Sequence, residues 1–179
     1  MTLKILEIVG LLQAPVMWWV FRRFFKRDMT GEMIASAIVG VVWEISTEPM
    51  WDYHFYITYY RDAPLAELTG WMVMFPLVIL LSEKLYRVFL KKASVLPHDK
   101  RIFGFDVLSG IIICLPLEAI GARLGVWQYR QDVLQWNWGM IPLFNLPWEV
   151  PFGYSLLLLI APTFIRYWEK DFENGKATG

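Results

Sequence analysis

The chain has 179 residues, 56% of them hydrophobic, with a mean hydropathy of +0.40 and 17 basic against 17 acidic residues. This is room for one domain, it is too apolar for a typical soluble protein, and it lacks the basic excess of a nucleic-acid binder. A single cysteine, Cys114, lies in an apolar run, which excludes an internal disulfide framework and reads as a small buried hydrophobe.

Five apolar stretches approach the roughly 20 residues that a helix needs to cross a hydrocarbon core of about 30 Å. They lie near 5–21, 31–52, 66–86, 103–121 and 147–166. Together they predict an all-α, polytopic membrane helix bundle forming one domain over 1–179. The first stretch follows Lys4 and has no small-residue cleavage site after it, so it is expected to be a retained span and not a signal peptide. It ends in Arg22, Arg23, Lys26 and Arg27, the third runs into Lys84, Arg87, Lys91, Lys92, Lys100 and Arg101, and the fifth into Arg166, Lys170 and Lys176. The other side carries only Lys4, Arg61, Arg123 and Arg130. The positive-inside rule then predicts an outside N-terminus, a cytoplasmic C-terminus and an odd number of spans, in a bacterial or archaeal cytoplasmic membrane.

Between the spans, Leu85 to Leu96 alternates basic and apolar residues, which predicts that the third helix continues along the membrane surface. His98 is expected to be a solvated loop residue. The segments 53–65 and 122–146 are rich in Tyr, Trp and Pro, the chemistry of the headgroup belt. The Trp-Glu pairs at 43–44 and 148–149 hint at a repeat, but their helices run in opposite directions and little else matches, so they read as coincidence.

The acids carry the chemical signal. Glu44, Glu48 and Asp52 follow at steps of four, which on one helix projects all three from a single stripe. Glu67 opens the third helix, Glu118 closes the fourth and Glu149 opens the fifth, so all six are expected at the outer side. Intramembrane carboxylates cost about 2.5 kcal/mol or more each, so they must face the bundle interior, share protons or bind cations. A first-turn charge such as Glu149 is stabilised by the helix dipole and a last-turn charge such as Glu118 is not. Glu118 is thus expected to be a proton donor and Glu149 an anion, with Glu44 a second donor. The plainer alternative is that the acids cap helix ends, pair with Arg123 and Arg130, or face water.

Other chemistries leave little trace. The chain has no Gly-rich phosphate loop, HExxH, CxxC or DDxxD, and Ser46 and Ser155 have no histidine at plausible reach. A cation held by Glu44, Glu48, Asp52 and His54 is chemically permitted but disfavoured with one nearby histidine, so neither metal nor cofactor is expected. A dry, aromatic-lined pocket with an acid at its end suits protonation of an alkene, the resulting cation being stabilised by ring faces. Of the 10 tryptophans, Trp43, Trp51, Trp71, Trp127, Trp136, Trp138 and Trp148 fall on the outer side. The expected catalytic set is Glu118, Glu149 and Glu44. The expected substrate contacts are Glu48, Asp52, Trp43, Trp127, Tyr129, Trp148, Asn145 and Tyr154.

The segment Glu118-Ala-Ile-Gly121-Ala-Arg-Leu-Gly125-Val-Trp127-Gln-Tyr129, then Gly139-Met-Ile-Pro142 and Pro147-Trp148-Glu149, resembles the integral-membrane carotenoid-biosynthesis proteins. The bacterial carotenoid hydratases have a similar run of glutamate, spaced glycines, tyrosine and Gly-x-x-Pro. The lycopene cyclase domains are similar in their prolyl-glutamate motif, matched by Pro116-Leu117-Glu118 and Pro147-Trp148-Glu149. The resemblance spans about 40 residues and implies proton-initiated, cofactor-independent chemistry on a long apolar isoprenoid, with Glu118 or Glu149 as the acid and Tyr129 nearby. Two departures stand out. Ala119 and Val150 follow the glutamates, so the adjacent acid pair of the cyclase motif is absent and cyclisation is in doubt. The chain is also shorter than the hydratases, which suggests a homodimer, a partner membrane subunit or a relative with altered activity. Two other readings stay open at this point: a non-enzymatic membrane subunit that binds a lipid or pigment, and a transporter or ion path along Glu44, Glu48 and Asp52.

Overall fold

The computed structural model describes residues 2–96, 99–134 and 138–177; His98 and Trp136 lie outside the described residues. Helix makes up 73% of the chain, in line with an all-α bundle. The long helices are α1 (Thr2–Val20, extended by a π-helical turn over Phe21–Phe25), α2 (Thr30–Thr47), α3 (Leu65–Leu90), α4 (Arg101–Arg123) and α6 (Glu149–Ala177), with a short α5 at Gln131–Leu134. Four stretches are long and apolar enough to cross a membrane: Thr2–Phe25, Leu65–Leu90, Arg101–Arg123 and Glu149–Lys170. Helix α2 is not among them, because its 18 residues include two acids and a run of small and polar side chains.

Three boundaries differ from expectation. Helix α2 stops at Thr47, since Pro49 cannot donate the next helical hydrogen bond and disfavours helical geometry before it. Glu48 therefore sits in a 3₁₀ turn (Glu48–Met50) and Asp52 in an extended strand. Helix α3 ends at Leu90, where Lys91 turns left-handed with φ 52°, so no surface helix extends to Leu96. Helix α4 continues to Arg123 and closes on Gly125, whose φ of 69° suits glycine; the N–H groups of Gly125 and Val126 return to Ala122 and Gly121.

The aromatic loops fold into three short antiparallel ribbons. Strand β1 (Trp51–Tyr53) pairs with β4 (Trp127–Tyr129), β2 (Thr58–Tyr60) with β3 (Ala63–Pro64), and β5 (Met140–Ile141) with β6 (Leu146–Pro147). Two halves thus share one order of elements. Helix α2, strand β1, ribbon β2–β3 and helix α3 are followed by helix α4, strand β4, ribbon β5–β6 and helix α6. The packing respects the same relation: α2 meets α3, α4 meets α6, α3 meets α4 and α2 meets α6, which closes a four-helix ring with β1 and β4 paired at its centre. Helix α1 packs outside the ring against α3. The internal repeat that the Trp-Glu pairs do not reveal is present, but it equates Glu44 with Glu118 and Glu67 with Glu149.

Inside the ring the core is apolar: Phe75, Val78 and Ile79 of α3, Leu158 and Ile165 of α6 and Cys114 of α4 are buried. Outward faces are apolar too, as in the stripe Ile34, Ile38, Val42 and Ile45 on α2 and the residues Ile5, Ile8, Val9, Leu12 and Val16 on α1. A helix that is apolar outside as well as inside is suited to a hydrocarbon surround. At the end away from the ribbons, a buried polar knot ties three helices together. Arg166 of α6 donates to both oxygens of Asp106 at 2.9 and 2.7 Å and to Glu83 at 3.3 Å, and Ser82 of α3 also donates to Asp106. Beside it Arg27 pairs with Glu32 at 2.6 Å.

Candidate functional site

At the ribbon end each ring helix contributes one polar or acidic side chain to a common layer: Glu44 from α2, Glu67 from α3, Glu118 from α4 and Tyr154 from α6. Glu44 and Glu118 are 2% and 5% exposed, values usual for core leucines and not for carboxylates. The Tyr53 hydroxyl donates to Glu44 at 2.6 and 3.2 Å, and the Tyr154 hydroxyl donates to Glu118 at 2.9 Å. Trp71 turns its buried indole nitrogen toward Glu44 and Trp127 toward Glu118, neither closing a hydrogen bond in this geometry.

The two holds are built alike. Tyr53 lies nine residues after Glu44 and Trp127 nine after Glu118, each on the strand that follows the acid's own helix, while Trp71 and Tyr154 come from the helix after that. Phenol and indole exchange places between the halves. Glycine makes room for both indoles: a Cβ on Gly121 would lie 2.0 Å from the Trp127 ring, and one on Gly40 would lie 2.6 Å from Trp71 Cβ. The β1–β4 ribbon aims Tyr53 and Trp127, which face one another in register, toward the acids and leaves Asp52 exposed on its other face. Trp51 stacks obliquely on Tyr129 in the same ribbon, ring centres 4.9 Å apart.

Glu67 lies within electrostatic reach of both Glu44 and Glu118. Burial, and then the charges of Glu44 and Glu67, hold the Tyr53 phenol well above its ordinary range and push Tyr59 up to about 12. Burial and the charge of Glu118 likewise raise Tyr129. These phenols are therefore hydrogen-bond donors at neutral pH. Among the described residues no cation pairs with Glu44, Glu67 or Glu118.

The expected site residues divide accordingly. Glu44, Glu118, Trp127, Tyr129 and Tyr154 come together, and partly buried Trp43 packs on the core beneath them. Glu48 is drawn away to Arg61 at 2.9 Å, so with Pro49 ending the helix the expected stripe of Glu44, Glu48 and Asp52 does not form. Glu149 stands apart in the first turn of α6, where it accepts the Trp138 N–H at 3.0 Å. Glu118 is followed by five more residues of helix, too deep for the helix-end field, which fades within the last turn. Asn145 occupies a left-handed position (φ 55°) in the β5–β6 turn, and Trp148 is 47% exposed. His54 bonds Gly125 O through Nδ1 at 2.8 Å, Glu44 is held by Tyr53, Glu48 by Arg61, and Asp52 is exposed on the ribbon's other face, so the four do not form one cation site. No group of three metal-ligating side chains is found among the described residues.

Sequence reasoning left Tyr53, Trp71 and Glu67 out of the site. A signal for them was present: an aromatic at a fixed distance after each buried glutamate, and a proline shortly before a first-turn acid in Pro64…Glu67 as in Pro147…Glu149. Comparison with protein-family models, curated proteins and solved structures finds no match to this chain.

Proposed function

We propose that this chain is an integral membrane protein whose ribbon-end layer protonates a carbon–carbon double bond of a long apolar isoprenoid, such as a carotenoid, leading to cyclisation, hydration or isomerisation. The observation that carries the reading is the convergence of buried Glu44 and Glu118 and half-buried Glu67, paired with no cation among the described residues, near Trp71, Trp127, Tyr53, Tyr129 and Tyr154. Carboxyl groups so placed repel one another as anions and are suited to hold and give protons, while the ring faces are suited to a carbocation. Glu118, with one phenol donor, is the proton donor. Glu44, held by Tyr53 through both oxygens, is the group better kept as an anion and takes the role that sequence reasoning gave to Glu149.

In this reading α2 crosses the bilayer with the other four long helices, its two acids turned inward. The ribbons face outside, and the basic loops and C-terminus face the cytoplasm. The chemistry is cofactor-independent. The buried apolar core between the acid layer and the Arg166 knot, with Phe75, Val78 and Leu158 among its side chains, argues against a continuous ion path.

The test is expression in bacteria engineered to accumulate a linear polyene, with pigment analysis by chromatography. A new product is expected, lost in Glu118→Gln and Glu44→Gln and kept in Glu149→Gln. An unchanged pigment profile from chain shown to be folded in the membrane would overturn the reading. Labelling of single cysteines at Thr58 and Lys92 from either side of the membrane tests the orientation.

A further inference from the structure

At the opposite end of the bundle from the acid layer, a cavity of about 610 Å³ opens between the α3–α4 loop, the start of α4 and the second half of α6. Its size is that of a small-ligand site. Val95, Leu96, Ile102 and Phe103 give it an apolar wall. Charges of both signs also line it, and their pairing decides its character. Glu83 is held by Arg166 at 3.3 Å, Asp99 by Arg101 at 2.6 Å, and Glu169 lies 3.8 Å from Arg27. Arg101, then Tyr86, keep Asp99 well below the usual carboxylate range, so it remains an anion committed to that pair. Each acid of the lining thus lies against an arginine, although Arg166 is shared with Asp106 and Arg27 with Glu32. Two lining ammonium groups are left, Lys100 and Lys170, which have no ion-pair partner among the described residues.

The geometry points to a binding site here for a phosphate-bearing amphiphile, its anionic group between Lys100 and Lys170 and its apolar part along Leu96, Ile102 and Phe103. An acidic ligand would find each lining acid facing an arginine and two ammonium donors outside those pairs. The site is separate from the proposed acid chemistry and does not depend on it. The phosphate has two sources, the headgroup of an anionic membrane lipid or a free diphosphate.

Native mass spectrometry of protein from phosphatidylglycerol and from phosphatidylcholine vesicles tests the first source. Thermal unfolding in detergent with inorganic diphosphate tests the second. Retention of phosphatidylglycerol about 30-fold above that of Lys100→Gln/Lys170→Gln is expected for a lipid site, from two lysine contacts. Stabilisation by diphosphate that this double variant lacks, without lipid preference, assigns the site to a free anion. The Lys84→Gln/Lys91→Gln control lies outside the cavity and should behave as the parent. If neither probe binds, or if the two double variants behave alike, the site does not exist. Should the charge variant fail to fold, Thr163→Trp, which fills the cavity and leaves both lysines, is expected to lose the same preference, and its keeping that preference would equally overturn the site.

Discussion

Replacing Gly40 by alanine tests how closely the two halves of the ring are fitted around the acids. The added Cβ would lie 2.6, 2.7 and 2.9 Å from Cβ, Cγ and Cδ1 of Trp71. These atoms are the root of the side chain, so no rotation of the indole clears them. Helices α2 and α3 must move apart by about 1 Å to reach ordinary carbon contact. Overpacking of this kind costs about 1–3 kcal/mol, and a glycine-to-alanine change at a compatible helical site restores about 0.4–1, leaving a net loss of about 1–2 kcal/mol. For a chain of this size that is a fall in melting temperature of roughly 2–8 °C. The comparison is Gly104→Ala in α4, where nothing lies within 4 Å and the melting temperature should hold or rise. Thermal unfolding followed by tryptophan fluorescence reads both. Gly40→Ala melting as high as Gly104→Ala would refute the claimed contact. Because Glu44 lies one turn beyond Gly40 and faces Trp71, the same variant should also lower product formation where Gly104→Ala does not.

Three further outcomes are expected. Arg166→Met leaves Asp106 buried without its cation and should destabilise by about 3–5 kcal/mol in denaturant unfolding, most of it recovered by adding Asp106→Leu. Glu7 is 4% exposed and accepts the N–H groups of Tyr56 and Ile57 at 2.8 and 2.6 Å; Glu7→Ala should cost about 1–3 kcal/mol and speed limited proteolysis of the loop around Tyr56. Tyr53→Phe removes the one hydroxyl donor that Glu44 accepts, which should cost about 1.5–3 kcal/mol and reduce product formation, while Tyr56→Phe, on an exposed ring, should do neither.

The apolar runs made the long helices legible because length and hydropathy are local properties. The gathering of Glu44 and Glu118 at one end was legible too, since helices that reverse direction bring acids near corresponding ends together. Pro49 was a visible stop, but the stripe of acids at steps of four outweighed it in the reading, and Glu48 and Asp52 were misplaced as a result. Ribbons of two and three residues are too short to show alternation, so the β1–β4 pairing that aims Tyr53 at Glu44 has no pattern of its own. Arg166 read as one more cytoplasmic charge because its partner, Asp106, lies 60 residues away, and only packing joins them. The repeat stayed hidden since its equivalent positions differ in kind: tyrosine against tryptophan, and a Glu67 near the other two acids against a Glu149 tied to the Trp138 N–H.

The repeat is of the parallel kind, both halves rising through α2 or α4 and descending through α3 or α6. Its axis therefore runs along the bundle, whereas an inverted repeat would lay it across. An inverted pair would have put one glutamate at each end of the molecule. Here both stand at one end, like two jaws of one chuck. The two-fold relation is broken there twice, by the exchange of phenol and indole between the halves and by Glu67, whose counterpart Glu149 is tied to the Trp138 N–H instead.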